Sequence, residues 1–333
     1  MKNKHIIFLA IVVLCVFSCK QKQENPPIQK DPLPSFNDVQ SKANIMAFVQ
    51  SVTDSTSSNY VKPIDRIACF DNDGTLWAEQ PLPSQLFFVF DKVREMARSN
   101  PKYATESPYK QVVENNLEEL LKQDKDKLVA MIGEVDSLFY PNYKETVNSW
   151  IDTVQHPVLN RPYASTVYQP MIELLDYLRA NQFTVYVVSG GGVAFMRAWQ
   201  PVIYGIPENN IIGSTFKTEA VQKNDSIAVV PTSQFDFYDD HMGKVINIQK
   251  TIGKKPIMVV GNSDGDLEMM EYAFTNNPHP TFMLYVNHTD GEREFLYDEK
   301  TIAGKLVKGK EVAKKNGWTI IDMRNDWKTV FPN

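Results

Sequence analysis

Two carboxylates one residue apart, delivered by an apolar run into a glycine turn, constrain this chain more than any other feature. Ile67-Ala68-Cys69-Phe70 is apolar and β-prone, and Asp71-Asn72-Asp73-Gly74-Thr75 follows it directly. The run reads as a buried strand, and Gly74 permits the sharp exit behind it. Both acids therefore stand at a strand's C-terminal end, where the loops of an open α/β sheet converge on a ligand. Two carboxylates held so close repel unless a cation lies between them or one takes a proton. A divalent metal is the expected remedy. A solvated Asx turn would use the same residues, so the remainder of the chain decides between them.

A length of 333 residues leaves room for about two domains. With 43% hydrophobic and 23% charged residues the composition is that of a globular protein. The net charge of −5 is spread over mixed signs without a basic stripe, so nucleic acid is not expected as a partner.

The N-terminus reads separately. Lys2 and Lys4 precede an apolar run from Ile6 to Phe17, too short for a membrane-spanning helix but suited to a signal-peptide core. Residues 1–18 are expected to be that signal. Val16-Phe17-Ser18-Cys19 resembles a bacterial lipobox, which implies a lipid on Cys19, attachment to a membrane through it, and a place in the cell envelope, facing the periplasm or the outer surface. A plain secretory signal or a retained anchor would use the same run. Residues 19–38, rich in Lys, Gln, Asn and Pro, read as a flexible tether. Cys69 is then the one thiol left, and its place in an apolar strand suits a small core side chain.

Past the tether, Ile45, Phe48, Val49 and Val52 recur at helical spacing. From Leu76 to Pro170 the period is helical throughout, with stripes at Leu86, Phe90, Val93 and Ala97, then Val113, Leu117, Leu120 and Leu121. Two more follow at Leu128, Met131, Ile132 and Val135, and at Tyr143, Val147, Trp150, Ile151 and Val154. The aromatic residues here, among them Trp77, Phe88 and Trp150, fit core positions, with a pocket lining or a cation cage as the alternative. Pro170 opens another helix, and Phe183–Val188 reads as a buried strand. It ends in Ser189-Gly190-Gly191-Gly192, a strand-to-helix turn whose hydroxyl and free amides suit phosphate. Two β-prone segments around Asn224-Asp225 suggest a hairpin. Lys244 begins an amphipathic helix, and Pro256–Val260 is a further buried strand, ending in Gly261-Asn262-Ser263-Asp264-Gly265-Asp266.

In this order, Asp71-Asn72-Asp73-Gly74-Thr75, Ser189, Lys244 and Gly261-Asn262-Ser263-Asp264-Gly265-Asp266 resemble the four motifs of the haloacid dehalogenase superfamily, in its phosphoserine phosphatase-like branch. The resemblance implies an α/β fold: a Rossmann-like core with a central, mostly parallel sheet, residues 39–75 and 171–333, and an inserted all-helical class 1 cap, residues 76–170. It implies a Mg²⁺-dependent phosphatase acting on a small phosphorylated metabolite through an aspartyl-phosphate. Asp71 would be the nucleophile and Asp73 the acid and base. Ser189, Gly190 and Lys244 would hold phosphate. Asp71, Asp73, Asn262 and Asp266 would hold the metal, with Asp266 the firmest match in the last motif. Asn262 departs from the family's Gly-Asp-x-x-x-Asp pattern, since an amide oxygen can ligate Mg²⁺ but carries no charge. Glu79, just past the first loop, would read a cationic part of the substrate. A phosphonatase using a cap lysine, or a non-catalytic lipid-anchored binding protein on the same scaffold, are the alternatives.

Overall fold

In the computed structural model, which describes residues 31–223, 225–298 and 301–332, the apolar runs pair into one seven-stranded sheet. Its strands are β1 (Ile67–Phe70), β2 (Thr184–Gly192), β3 (Ile211–Lys223), β4 (Ser226–Phe237), β5 (Met258–Gly261), β6 (Phe282–Asn287) and β7 (Thr319–Asp322). The order is β4-β3-β2-β1-β5-β6-β7. All neighbours run parallel except β3 and β4. The chain steps outward on both sides of β1, so β1 lies at the switch point where α/β sheets open a crevice for ligands. Register brings the motifs to that point: Phe70 pairs with Val187 of β2 and Val260 of β5, which sets Asp71, Ser189 and Asn262 along one edge.

Alternation along β1 divides the interior into two layers. Ala68 and Phe70 join one cluster of buried apolar residues, with Val49, Leu174, Val187 and Trp199. Ile67 and Cys69 join the other, with Ile248, Met270 and Tyr285. Cys69 is thus a core side chain, as expected, and burial pushes its thiol far up.

Helix α1 (Gln40–Thr53) buries Ile45, Phe48, Val49 and Val52 and stacks Phe48 on Phe282, with ring centroids 5.2 Å apart. Between β1 and β2 come α2 (Ser84–Ser99), α3 (Lys102–Thr105), α4 (Tyr109–Val113), α5 (Leu117–Leu121), α6 (Lys125–Leu138), α7 (Tyr143–Thr153) and α8 (Gln169–Ala180). The remaining helices are α9 (Val193–Ile203), α10 (Met242–Thr251), α11 (Leu267–Phe274), α12 (Lys308–Asn316) and α13 (Met323–Asp326). No helix among the described residues is long and apolar enough to cross a membrane.

Several expectations need correction. The signal segment and Cys19 lie outside the described residues, but the tether cannot extend to Asp38. Leu33 and Phe36 are buried, and Phe36 packs edge-on against Trp327 at 6.4 Å. Burial of these two apolar residues, with the Ser35 hydroxyl donating to Glu173 at 2.7 Å, fastens its end to the fold. The stripe through Val113 and Leu121 is not one helix. Asn115 turns the chain at φ +54°, Asn116 caps α5 by accepting the Glu119 amide, and Leu117 and Leu121 are exposed. Asparagine tolerates the left-handed turn and caps well, which overrides the apolar spacing. The hairpin is longer than its β-prone cores, because β3 starts in the sheet beside β2 and continues outward as an arm paired with β4. Helix α6 lies against this arm. Gly133 makes the approach possible, since a Cβ there would stand 2.5 Å from the Phe216 ring and 2.8 Å from the Ser233 carbonyl oxygen.

Asp136 on α6 is buried beside Tyr143 with no hydrogen-bond partner on Oδ1. Burial pushes its carboxyl up to about 7. The folded state therefore favours the neutral acid. Its contribution is full below the ordinary carboxylate range and disappears as pH rises through about 7. Asp136→Asn is expected to flatten the fall in Tm between about pH 5 and about pH 8 in thermal denaturation. Parallel Tm profiles for the two proteins would contradict the assignment.

Candidate active site

The loop after β1 is held from several sides. The Asp71 amide donates to the Val260 carbonyl at 2.9 Å, which continues the sheet one residue further. The Asn72 carbonyl accepts from the Thr75 and Leu76 amides at 3.1 and 2.8 Å. The Asn72 side-chain oxygen accepts from Gln200 at 2.8 Å and from the Tyr204 hydroxyl at 3.1 Å. Gly74 has φ +74°, and a Cβ on it would fall 2.0 Å from Asn262 Nδ2, so neither the turn nor the contact admits a side chain. His288 Nε2 meets the Gly74 carbonyl at 2.6 Å, while its Nδ1 faces Glu294 at 3.0 Å. Asp73 Oδ1 accepts from the Trp77 indole at 2.9 Å, and that indole lies tilted against Trp199 with ring centroids 4.4 Å apart.

Lys244, at the start of α10, reaches between β1 and β5. Its Nζ donates to Asp71 Oδ1 and Asp266 Oδ1, each at 2.6 Å, and all three side chains are buried. Burial opposes the ammonium charge, but Asp266 and Asp71 outweigh it and hold the lysine well above its usual range. Asp71 is raised by burial and then by Asp266, with Lys244 in partial opposition. Burial likewise raises Asp73 against its bonds from Trp77 and Asn72. Glu79 is raised by burial and by the nearby Asp73 and Asp71.

Asp266, expected among the metal ligands, is engaged by protein donors at both oxygens. Its Oδ1 belongs to Lys244, and its Oδ2 accepts from the Asn262 and Ser263 amides, both at 3.0 Å, and from the Ser263 hydroxyl. It anchors the lysine and caps the turn after β5. Asn262 is oriented differently: Oδ1 accepts from the Thr75 hydroxyl at 3.2 Å, and that hydroxyl also lies 3.3 Å from Asp71 Oδ2.

Ser189 is buried, with Oγ 3.5 Å from Asp73 Oδ2. The glycines after it depart from the expected turn. β2 runs through Gly192 across an irregularity in its pairing with β3. The Gly191 amide donates to Ser189 Oγ at 3.2 Å and the Gly192 amide to Gln85 Oε1 at 2.8 Å, so these two amides are not free. Gln85 Nε2 is buried with no partner. Asp71, Asp73, Glu79, Ser189, Gly190 and Lys244 all line one cavity of about 690 Å³. Gln85 and Leu86 of α2 and Leu128, Val129 and Ile132 of α6 line it from the helical insert. The aromatics Trp77, Phe88 and Trp150 do not line it; they are buried in the core.

The haloacid dehalogenase-like hydrolase family model matches residues 68–271, more than half of the 333 residues. The chain belongs to that family. Among solved structures the hydrolase is similar to a protein of unknown function from Bordetella pertussis Tohama I, at 14% identity and a TM-score of 0.51, over 78% of this chain and 98% of that one. A conserved, functionally unknown protein from Anaerococcus prevotii DSM 20548 is similar at 17% identity and a TM-score of 0.50, over 79% of this chain and 89% of that one. These are likenesses of fold. A probable phosphoserine phosphatase from Vibrio cholerae is more distant, at 13% identity and a TM-score of 0.38, over 76% and 68% of the two chains. Among curated proteins there is no match.

Among the described residues of the hydrolase, no group of three or more His, Cys, Asp or Glu side chains is arranged to hold a metal. The donors present are of another kind. Asp71 Oδ2 and Asn262 Oδ1 share the Thr75 hydroxyl, and Asp73 lies beside Asp71. The buried ammonium of Lys244 bonds Asp71 and Asp266, and Asp73 and Glu79 lie close to Asp71. An all-oxygen set with excess negative charge suits Mg²⁺, which takes one or two carboxylates and keeps several waters. Gln85, Trp77 and His288 complete the hydrolase site without a motif to announce them: each acts through a single hydrogen bond to a motif residue.

Proposed function

We propose that this hydrolase is a Mg²⁺-dependent phosphatase that cleaves a small phosphomonoester through an aspartyl-phosphate on Asp71. One observation carries the reading: Asp71, fixed by Lys244 at 2.6 Å, lies on the floor of a cavity that also contains Asp73 and Ser189, 3.5 Å apart. Asp71 attacks phosphorus while the ester P–O bond breaks, and Asp73 gives its proton to the leaving alkoxide. The raised Asp73 carboxyl suits that first role. Asp73, now ionised, takes a proton from water. The resulting hydroxide attacks phosphorus, and the acyl-phosphate P–O bond breaks to return the Asp71 carboxylate and free phosphate. Ser189 and Lys244 donate to the phosphoryl oxygens, and the unpartnered Gln85 Nε2 is a third donor for them. Asp71, Asp73 and Asn262 would hold Mg²⁺, which when bound offsets charge on the phosphoryl group.

Residues 76–170 serve in this reading as the cap. Its apolar lining from Leu86, Leu128, Val129 and Ile132 favours a small substrate with an apolar portion. The phosphonatase alternative needs a lysine buried against the reacting group. Lys125, the cap lysine that lines the cavity, is exposed, and its Nζ rests 4.4 Å over the Tyr238 ring. We also infer attachment to a membrane through a lipid on Cys19, in the cell envelope, which the sequence of residues 1–19 supports.

The test is phosphate release from a panel of small phosphomonoesters by the full-length protein, with and without Mg²⁺, beside Asp71→Asn. Metal-dependent release that the variant loses is the expected outcome. A folded protein that takes up Mg²⁺ and cleaves no ester would contradict the reading.

A further inference from the structure

We propose that Glu79 acts through Asn262 to supply the negative charge that the last motif lacks at its first position, so that an amide–carboxylate pair serves the cation site. The inference rests on the reading of that site as a divalent-cation site.

The orientation of Asn262 carries the argument. Its Oδ1 faces the Thr75 hydroxyl at 3.2 Å, on the side of Asp71, and its Nδ2 donates to Glu79 Oε2 at 3.3 Å. A flipped amide would turn its carbonyl oxygen onto a carboxylate, which is repulsive. Glu79 therefore fixes which end of the amide is offered to a cation. A carboxylate hydrogen-bonded behind a ligand orients it and makes it a better donor.

Glu79 is built into this position. It is 7% exposed, and its neighbours are tied down on both sides: the Ala78 amide donates to the Thr166 carbonyl at 3.0 Å, and Gln80 donates to the Ala303 carbonyl at 2.9 Å. A Cβ on Gly74 would meet both Asn262 and Glu79 Oε2, so the first loop is shaped to admit the pair. Asp266 directs Oδ1 to Lys244 and Oδ2 to the Asn262 and Ser263 amides, whereas the only side-chain bond of the Asn262 amide nitrogen among the described residues is to Glu79. A carboxylate at position 79 stands directly behind the uncharged amide at position 262.

Titration of the full-length protein with Mg²⁺, by calorimetry and by the metal-induced rise in Tm, tests this. Glu79→Gln is expected to weaken Mg²⁺ binding by about 10–100-fold. Glu79→Gln combined with Asn262→Asp is expected to restore affinity to within a few-fold of the parent. Asn262→Asp alone, which sets two carboxylates against each other, is expected to lower the metal-free Tm and enlarge its rise with Mg²⁺. Unchanged affinity in Glu79→Gln overturns the proposal, as does a double variant no tighter than the single one. So does a rise in KM confined to esters with a cationic group at unchanged Mg²⁺ affinity, which would give Glu79 to the substrate. The Mg²⁺ titrations need no turnover, so a protein that binds Mg²⁺ yet cleaves no ester refutes the phosphatase reading without touching this one. Absence of any Mg²⁺ binding refutes both.

Discussion

Lys244→Met is expected to destabilise the protein by about 3–5 kcal/mol, the range for breaking a buried ion pair by removing one partner, and to abolish phosphate release. The lysine is the only buried cation that contacts Asp71 and Asp266 among their described hydrogen bonds. Without it two buried carboxylates face each other unpaired. Its ammonium is held above the ordinary lysine range, so in the parent its contribution is present through neutral pH and is lost only as pH rises through that raised value. In the variant the carboxylates can find relief only by taking up protons. The Tm deficit should therefore widen from about pH 5 to about pH 8. Calorimetry of the metal-free proteins measures it. A constant deficit, or one that narrows, would contradict the bridging role.

Asp73→Asn is expected to lower kcat by about 10²–10⁴-fold on alkyl phosphates, the usual weight of a positioned general acid. The loss should be much smaller in the first, aspartyl-phosphate-forming step with 4-nitrophenyl phosphate, whose leaving group needs no proton. Burst kinetics separate the steps: the variant should accumulate phosphorylated Asp71, because the second step still needs Asp73 as base. The Trp77 indole would keep a partner in the amide oxygen, so the loop should hold its shape. An equal loss of the burst with both ester types would assign Asp73 to structure rather than proton transfer.

Much of the fold was legible because buried parallel strands are contiguous apolar runs. Ile67–Phe70 and Pro256–Val260 stand out in any reading, and the motif residues sit where those runs stop. The order of the four motifs carried the family. What a pattern cannot carry is which oxygen is already used. Asp266 matches its motif, and its oxygens accept from Lys244, two amides and the Ser263 hydroxyl. The amides of Gly191 and Gly192 look free in sequence and are taken by Ser189 and Gln85. Gln85 lies outside the motifs, and nothing local marks a glutamine in a first helical turn as a partner of the site. Asn115 was a local signal that helical periodicity outweighed. In the tether, Leu33 and Phe36 were too few to register as a pattern but enough to pack.

The arm formed by β3 and β4 ties the roof of the cavity to its floor. β3 pairs Gly213 with Ser189, then leaves the sheet and supports α6 at Gly133, whose neighbours Leu128, Val129 and Ile132 overlie the cavity. A roof fastened in this way does not swing as a free flap. The helix that roofs the cavity and the strand that borders Ser189 are therefore parts of one continuously packed unit.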